Sequence, residues 1–290
     1  MNFYNIISLM PKNIASFSYL LDSYPNARVA YSLRKLNSSY LGNCVRVRRS
    51  SDNSESDIGF LNNVIDTASL VSFIGVGNNG FITIWYDQSG NGYNATQTTA
   101  ANQPKIVNSG AVLLNNSLPT IFLDTTGSNY LNILNNFSTF NDVSVFIVAD
   151  TLDYDGNAFN TRMFSLYDGT NTFQLGRNGV TFNFHLKNTQ WQSGTVANEF
   201  NTEFSPFPET LYSILSTSSS NNLYYDGVLQ SKITGSLDSG GTISRIGTRS
   251  DLLSTTFFNG DLQEFIMYPV DQTSNKTGIE TNINNYYNVF

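Results

Sequence analysis

Trp85-Tyr-Asp-Gln-Ser-Gly-Asn-Gly92 follows directly on the alternating run Ile82-Thr-Ile-Trp-Tyr86. Alternation of apolar and polar residues predicts a strand. Gly90 and Gly92 adopt positive φ without penalty, and Asn91 tolerates it better than most residues, so the strand ends in a turn that positions Asp87 and Gln88. Two more strings lie upstream, Arg28-Val-Ala-Tyr-Ser-Leu-Arg34 and Arg46-Val-Arg-Arg-Ser-Ser-Asp52. If Val45-Arg-Val-Arg48 is also a strand, Arg46 and Arg48 share one face and Arg49 takes the other. Acidic partners are close by in Asp52, Glu55, Asp57 and Asp87. Arg48, Arg49 and Asp52 are therefore expected in a structural ion-pair network with Asp57 or Asp87, which specifies geometry more than it adds stability.

Composition points the same way. Of 290 residues, 21 are Phe and 16 Tyr while charged residues make up 13%. Asn, Ser, Thr and Gly take the solvent-facing role that Lys, Glu and Ala play in helical proteins, and these residues favour turns and exposed strand faces. The expectation is an all-β chain. The formal charge of −7 argues against nucleic acid as a partner. Cys44 stands alone, so no intrachain disulfide can form. The start of the chain lacks a signal-peptide pattern, and no apolar run is long enough to insert into a membrane.

Along the chain, residues 1–25 form an apolar-rich segment broken by Pro11, which reads as an N-terminal tail that packs on its own domain or anchors it elsewhere. Residues 26–290 read as one domain. The spacing of Val29, Ala30, Leu33 and Leu36 predicts a short helix over 27–36, capped by Asn26. A second helix is expected over 65–73, closed by Gly75 and Gly77. Val143–Ala149 is an apolar run suited to a central strand covered on both faces. Further strands start at Phe164, Phe173, Val180 and Ile243, and Asp226-Gly227 between hydrophobics signals a hairpin. Phe257–Tyr268 supplies the last strand, and a terminal helix carries Ile279, Ile283, Tyr286 and Tyr287 on one stripe.

The three strings resemble the N-terminal part of the family-54 arabinofuranosidase catalytic domain, a two-sheet concanavalin A-like jelly roll. They resemble even more the version of that module repeated in bacteriophage virion proteins, and the chain's ending resembles laminin-G-like modules. The resemblance implies an all-β, two-sheet jelly-roll sandwich with a few short helices. It also implies a virion component (head decoration, fibre or tail), made in a host cytoplasm. Its partners would be other virion proteins and cell-surface or mucus glycans, and it would form a homo-oligomer because weak sugar sites gain from avidity. A purely structural virion protein without glycan binding is one alternative.

The other alternative is an arabinofuranosidase-like hydrolase. Glycoside hydrolysis needs two carboxyl groups facing one bond. The Ile246-Gly-Thr-Arg-Ser-Asp251 stretch resembles the region that carries the family's acid/base Asp, which makes Asp251 one candidate; Glu264 is the other. In the family's terms Thr248, Arg249 and Ser250 stand first after Gly247, and no Glu matches the nucleophile, so the resemblance implies a retained fold with lost catalysis.

Other candidates come from residue chemistry. Trp191 with Gln190, Tyr167 with Asp168, and Tyr154 offer an aromatic platform beside hydroxyl-binding groups, as sugar recognition requires. Asp87 either locks its loop by accepting backbone N–H bonds or binds sugar hydroxyls. No cofactor is expected. Calcium has one candidate turn, with Asp153, Asp155 and Asn157 as oxygen ligands. His185 is the only histidine, and one His with one Cys makes a zinc site improbable.

Overall fold

The computed structural model describes residues 18–133, 137–140, 142–151, 162–167, 172–176, 209–234, 239–241, 243–249, 252 and 257–290. In chain order the main strands begin with β1 (Val29–Ser32), β2 (Val45–Arg49), β3 (Glu55–Ile58), β4 (Gly80–Trp85), β5 (Ala95–Thr96) and β6 (Lys105–Asn108). There follow β7 (Ile121–Leu123), β8 (Leu131–Ile133), β9 (Val143–Thr151), β10 (Arg162–Tyr167) and β11 (Thr172–Gly176). The last are β12 (Thr210–Ser216), β13 (Ser220–Tyr225), β14 (Val228–Thr234), β15 (Ile243–Ile246) and β16 (Gly260–Tyr268). Three short helices accompany them, α1 (Leu20–Ser23), α2 (Thr67–Ile74) and α3 (Lys276–Tyr287).

Two antiparallel layers result. The first runs β14-β13-β12-β9-β16, with β1 and β7 side by side along the far edge of β16. The second runs β11-β10-β15-β8-β5-β4-β2-β3. β6 pairs with β4 in one layer and β7 in the other, closing one side of the sandwich. Between the layers lies a dry core that includes Val145, Ile147, Tyr212, Phe265 and Met267 facing Trp85, Leu131, Phe164, Phe173 and Ile246. The expected all-β sandwich with small helices is the observed fold.

A second core covers the other face of the first sheet. Ile279, Ile283 and Tyr287, the stripe expected on the terminal helix, pack there on Phe146, Val148, Leu211 and Ile266. Each such buried side chain is worth roughly 1.5–3 kcal/mol of transfer free energy. Leu20 and Leu21 join this cluster, although they fall in the segment set apart as a tail; residues 1–17 lie outside the described part. β9 is the predicted central strand, buried on both faces between β12 and β16.

The helix predicted over 27–36 is absent; a strand takes its place. Val29 and Tyr31 point into the inter-sheet core while Ala30 points into the helix-covered one. Burial on both faces removes the alternation that would have marked a strand, and the remaining apolar spacing imitates a helix. Asn26 is left-handed at φ +67 and caps nothing helical. Over 67–74 the helix does form, with the Asp66 carboxylate accepting the Ser69 N–H at 3.0 Å and Gly75 ending it at φ +74. Asp226-Gly227 turns the predicted hairpin with both residues at positive φ.

Candidate functional site

The strings that stand out in sequence meet in space. Asp87 Oδ1 accepts the N–H groups of Ala30 and Ser89, both at 2.9 Å, and Oδ2 accepts the Ser89 hydroxyl at 2.7 Å and the Tyr93 N–H at 3.1 Å. Gln88 is wholly buried; its Oε1 accepts the Leu36 N–H and its Nε2 donates to the Ser32 and Arg34 carbonyls. The loop between Gly90 (φ +91) and Gly92 (φ +76) then lets Asn91 donate to the Ala27 and Arg28 carbonyls. Asp87 and Gln88 thus spend their hydrogen-bonding capacity on β1 and on their own loop, which leaves nothing for a sugar hydroxyl.

Arg34, at the end of the first string, reaches the last strand. Its guanidinium grips Glu264 through Nε–Oε2 at 2.8 Å and Nη2–Oε1 at 3.0 Å, while Nη1 donates to Asn282 on α3. Ser32 and Tyr287 hydroxyls contribute further bonds to the same carboxylate. Burial pulls the Arg34 pKa down, but the Glu264 charge and hydrogen bonds outweigh it and leave the guanidinium above its ordinary value. Glu264 was a catalytic candidate; with its side chain fully buried and held bidentate, it has no path to a substrate. The other arginines form two separate pairs rather than one network. Arg46 binds Asp57 at 2.8 Å, Arg49 binds Asp52 at 2.7 Å, and Arg48 turns to Gln103 and Asn53.

The surface with unmet chemistry is the outer face of the second sheet. Register places Gln174, Ser165, Arg245, Asn132 and Thr96 in one row across β11, β10, β15, β8 and β5. Their neighbours along each strand point inward to the core, so the row points away from it. Arg245 Nε donates to Asn132 Oδ1 at 3.0 Å. Ser165 and Gln174 are fully buried, and among the described residues Ser165 Oγ and both amide atoms of Gln174 have no hydrogen-bond partner. A buried donor or acceptor left unmade costs about 1–3 kcal/mol, and such groups mark places where a ligand or water completes the bonding. At the end of β15, Gly247 turns at φ +87 and delivers the buried Thr248 and Arg249, the positions that lead to Asp251.

Asp251, Trp191, Gln190, Asp168, Tyr154, Asp153, Asp155 and Asn157 lie outside the described residues, as does His185, and Tyr167 is described in its backbone alone. Among the described residues no group of three His, Cys, Asp or Glu is arranged to hold a metal ion. Sequence reasoning missed the Gln174–Asn132 row because its members come from five strands and only register unites them. It also missed a carboxylate trio, Glu209, Asp150 and Asp261, on the opposite side of the molecule.

Residues 23–120 match the family model described as alpha-L-arabinofuranosidase B, catalytic. Among solved structures, a GH54 α-L-arabinofuranosidase soaked with a cyclic sulfate inhibitor is similar over 91% of this chain, with a TM-score of 0.68 at 16% identity. An arabinofuranosidase complexed with arabinofuranosyl-α-1,2-xylobiose gives 0.67 at 17% over the same share. The chain spans 64% of the length of each. No curated protein sequence matches. The virion component expected from sequence is corrected by these findings: the matched family and the shared fold are those of arabinofuranosidases, and nothing ties the chain to a phage particle. The likeness to the solved structures shows a shared fold, and residues 23–120, about a third of the chain, are the part that matches the family model in sequence.

Proposed function

We propose that this chain is a glycoside hydrolase domain acting on α-L-arabinofuranosides, with Asp251 as its acid/base carboxyl. The observation that carries the reading is the match of residues 23–120 to the arabinofuranosidase catalytic model. The outer face of the second sheet supports it. Arg245, Asn132 and Thr96 of the row are partly exposed, and their guanidinium, amide and hydroxyl groups are of the kind that bond the many hydroxyls of a sugar. β15 carries Arg245 in that row, and Asp251 follows the end of β15 by five residues in sequence, which supports its choice as the acid/base. Asp251 would protonate the leaving oxygen as the glycosidic bond breaks, a contribution of typically ~10²–10⁴ in rate, while the arabinosyl carbon passes to water, directly or by way of an ester with the second carboxyl that the reaction requires.

The test is turnover of 4-nitrophenyl α-L-arabinofuranoside by the full chain. Asp251→Asn is expected to lose on the order of 10² or more in kcat, and Asn132→Ala to raise KM with the fold intact. Absence of turnover across a panel of furanosides and pyranosides would refute the proposal, as would full activity in Asp251→Asn.

A further inference from the structure

Three carboxylates stand shoulder to shoulder on neighbouring strands of the first sheet. Register pairs Asp150 of β9 with Asp261 of β16, and Ala149 with Thr210 of β12, which sets Glu209 beside Asp150. All three sit beyond the end of α3, on the face of the sheet that the helix covers. A hairpin built from Leu114–Asn115 and Leu118–Pro119 lies over them, turning through Asn116 and Ser117, both at positive φ. Asn115 Nδ2 donates to Asp150 Oδ2 at 3.0 Å and lies 3.5 Å from Asp261 Oδ2. Asn116 Nδ2 donates to the Tyr287 carbonyl at the last turn of α3, and Gln263 Nε2 donates to the Asn115, Leu118 and Pro119 carbonyls. The hairpin is therefore fastened to the sheet and helix by amide contacts, several of them on carboxylates.

What is missing is a cation. Among the described residues no Lys or Arg pairs with any of the three acids. Glu209 is 6% exposed, and among the described residues neither of its oxygens has a hydrogen-bond partner of good geometry, the Asn116 amide being the nearby donor. Among the described residues, the groups facing the cluster are neutral or acidic. Thr120 stands beside Asp261, and Tyr286 of α3 feels the charge of Glu209. Asp226, in the turn between β13 and β14, faces Glu209, and beyond it lies Glu280, which is paired with Lys276. Tyr212, on the inner face of β12, lies within range of both Asp150 and Asp226. Glu209 is too enclosed to meet a sugar, so the cluster acts on the chain itself.

We propose that the Leu114–Pro119 hairpin is a proton-operated strap, closed over β9, β16 and the end of α3 while the carboxyl cluster holds protons, and released as the cluster ionises. Burial lifts Glu209 to about 7 and Asp261 to about 6 and also raises Asp150, with repulsion from neighbouring carboxylates adding to the first two; the strap's Asn116 and Asn115 amides pull Glu209 and Asp150 the other way, but burial outweighs them. The folded state thus binds more protons than the unfolded chain between about pH 4 and 7, so the strap's contribution is complete below the unfolded carboxyl range and is lost as pH rises through 6–7. This device is independent of the hydrolase reading and stands or falls without it.

Amide hydrogen exchange of the full chain, followed between pH 5 and 8 and corrected for intrinsic rates, reads the strap directly. The Asn115 and Leu118 amides are expected to lose protection by at least roughly tenfold over that range, the factor that one unit of pKa shift carries. Amides of β9 at Val145 and Ile147 serve as the internal reference. The double variant Glu209→Gln/Asp261→Asn, which imitates the protonated cluster, is expected to keep the hairpin protected at pH 8. Corrected protection of wild-type Asn115 and Leu118 that is flat from pH 5 to 8 overturns the proposal, whether or not the variant folds. So does a folded double variant that keeps the wild-type pH slope.

Discussion

Replacing Glu264 by Gln separates a structural carboxylate from a catalytic one. The substitution keeps volume but puts an amide opposite Arg34, which then holds a buried positive charge with no counter-ion. The pair is closed on both sides, with side-chain exposures of 2% for Arg34 and 0% for Glu264, so solvent cannot take over the lost interaction. The Ser32 and Tyr287 hydroxyls lose part of their acceptor at the same time. Breaking a buried pair in this way costs about 3–5 kcal/mol. For a domain of this size that corresponds to a fall in Tm of roughly 5–8 °C. Urea denaturation at pH 7 checks it, and a loss below about 1 kcal/mol would refute the assignment of Glu264 as the anchor between β1, β16 and α3. Turnover per folded molecule, measured well below the variant's melting range, should stay near wild type. A stable but inactive Glu264→Gln would restore the catalytic reading. The double variant Arg34→Met/Glu264→Leu should recover part of the loss, since it removes the stranded charge.

Three further substitutions probe the frame. Asp87→Ala strips four accepted bonds from the loop after β4 and should cost about 2–4 kcal/mol by urea titration, with Asp87→Asn milder. Gly247→Ala sets a Cβ against Leu123 Cδ2 and 3.1 Å from the Asn129 carbonyl at φ +87, so a clear fall in Tm is expected; by contrast Gly227→Ala, also at positive φ but with nothing nearer than 3.6 Å, should lose only about 1 kcal/mol. Arg46→Met removes an exposed pair with Asp57 and should move stability by less than about 1 kcal/mol in the same titration.

What sequence could and could not reveal follows from how each feature is encoded. α2, α3, β9 and the Asp226-Gly227 hairpin rest on local signals, namely a cap, a stripe, an apolar run and a turn pair, and they form where those signals lie. β1 misled because it is buried on both faces. The polar row from Gln174 to Asn132 and the trio of Glu209, Asp150 and Asp261 depend on strand register across distant segments, which no local pattern carries. The strings that carry the family resemblance, around Arg34 and Asp87, prove to be fastenings between β1, the loop after β4 and the last strand. Their side chains are spent on holding the frame, and so they report the fold more strongly than the chemistry performed on it.

The pairing of β1 with β16 has a consequence for how the chain is made. Val29–Ser32 waits for residues 264–267, and the inner strand β9 waits for the same partner. A ribosome must deliver nearly the whole sequence before either contact exists, so the early strands spend most of synthesis with their apolar faces uncovered. Contacts of such long sequence separation slow folding and prolong exposure to aggregation. Emergence of β16, rather than of any earlier segment, is then the event that closes the first sheet, and a chain cut short before residue 260 lacks the partner of both β1 and β9.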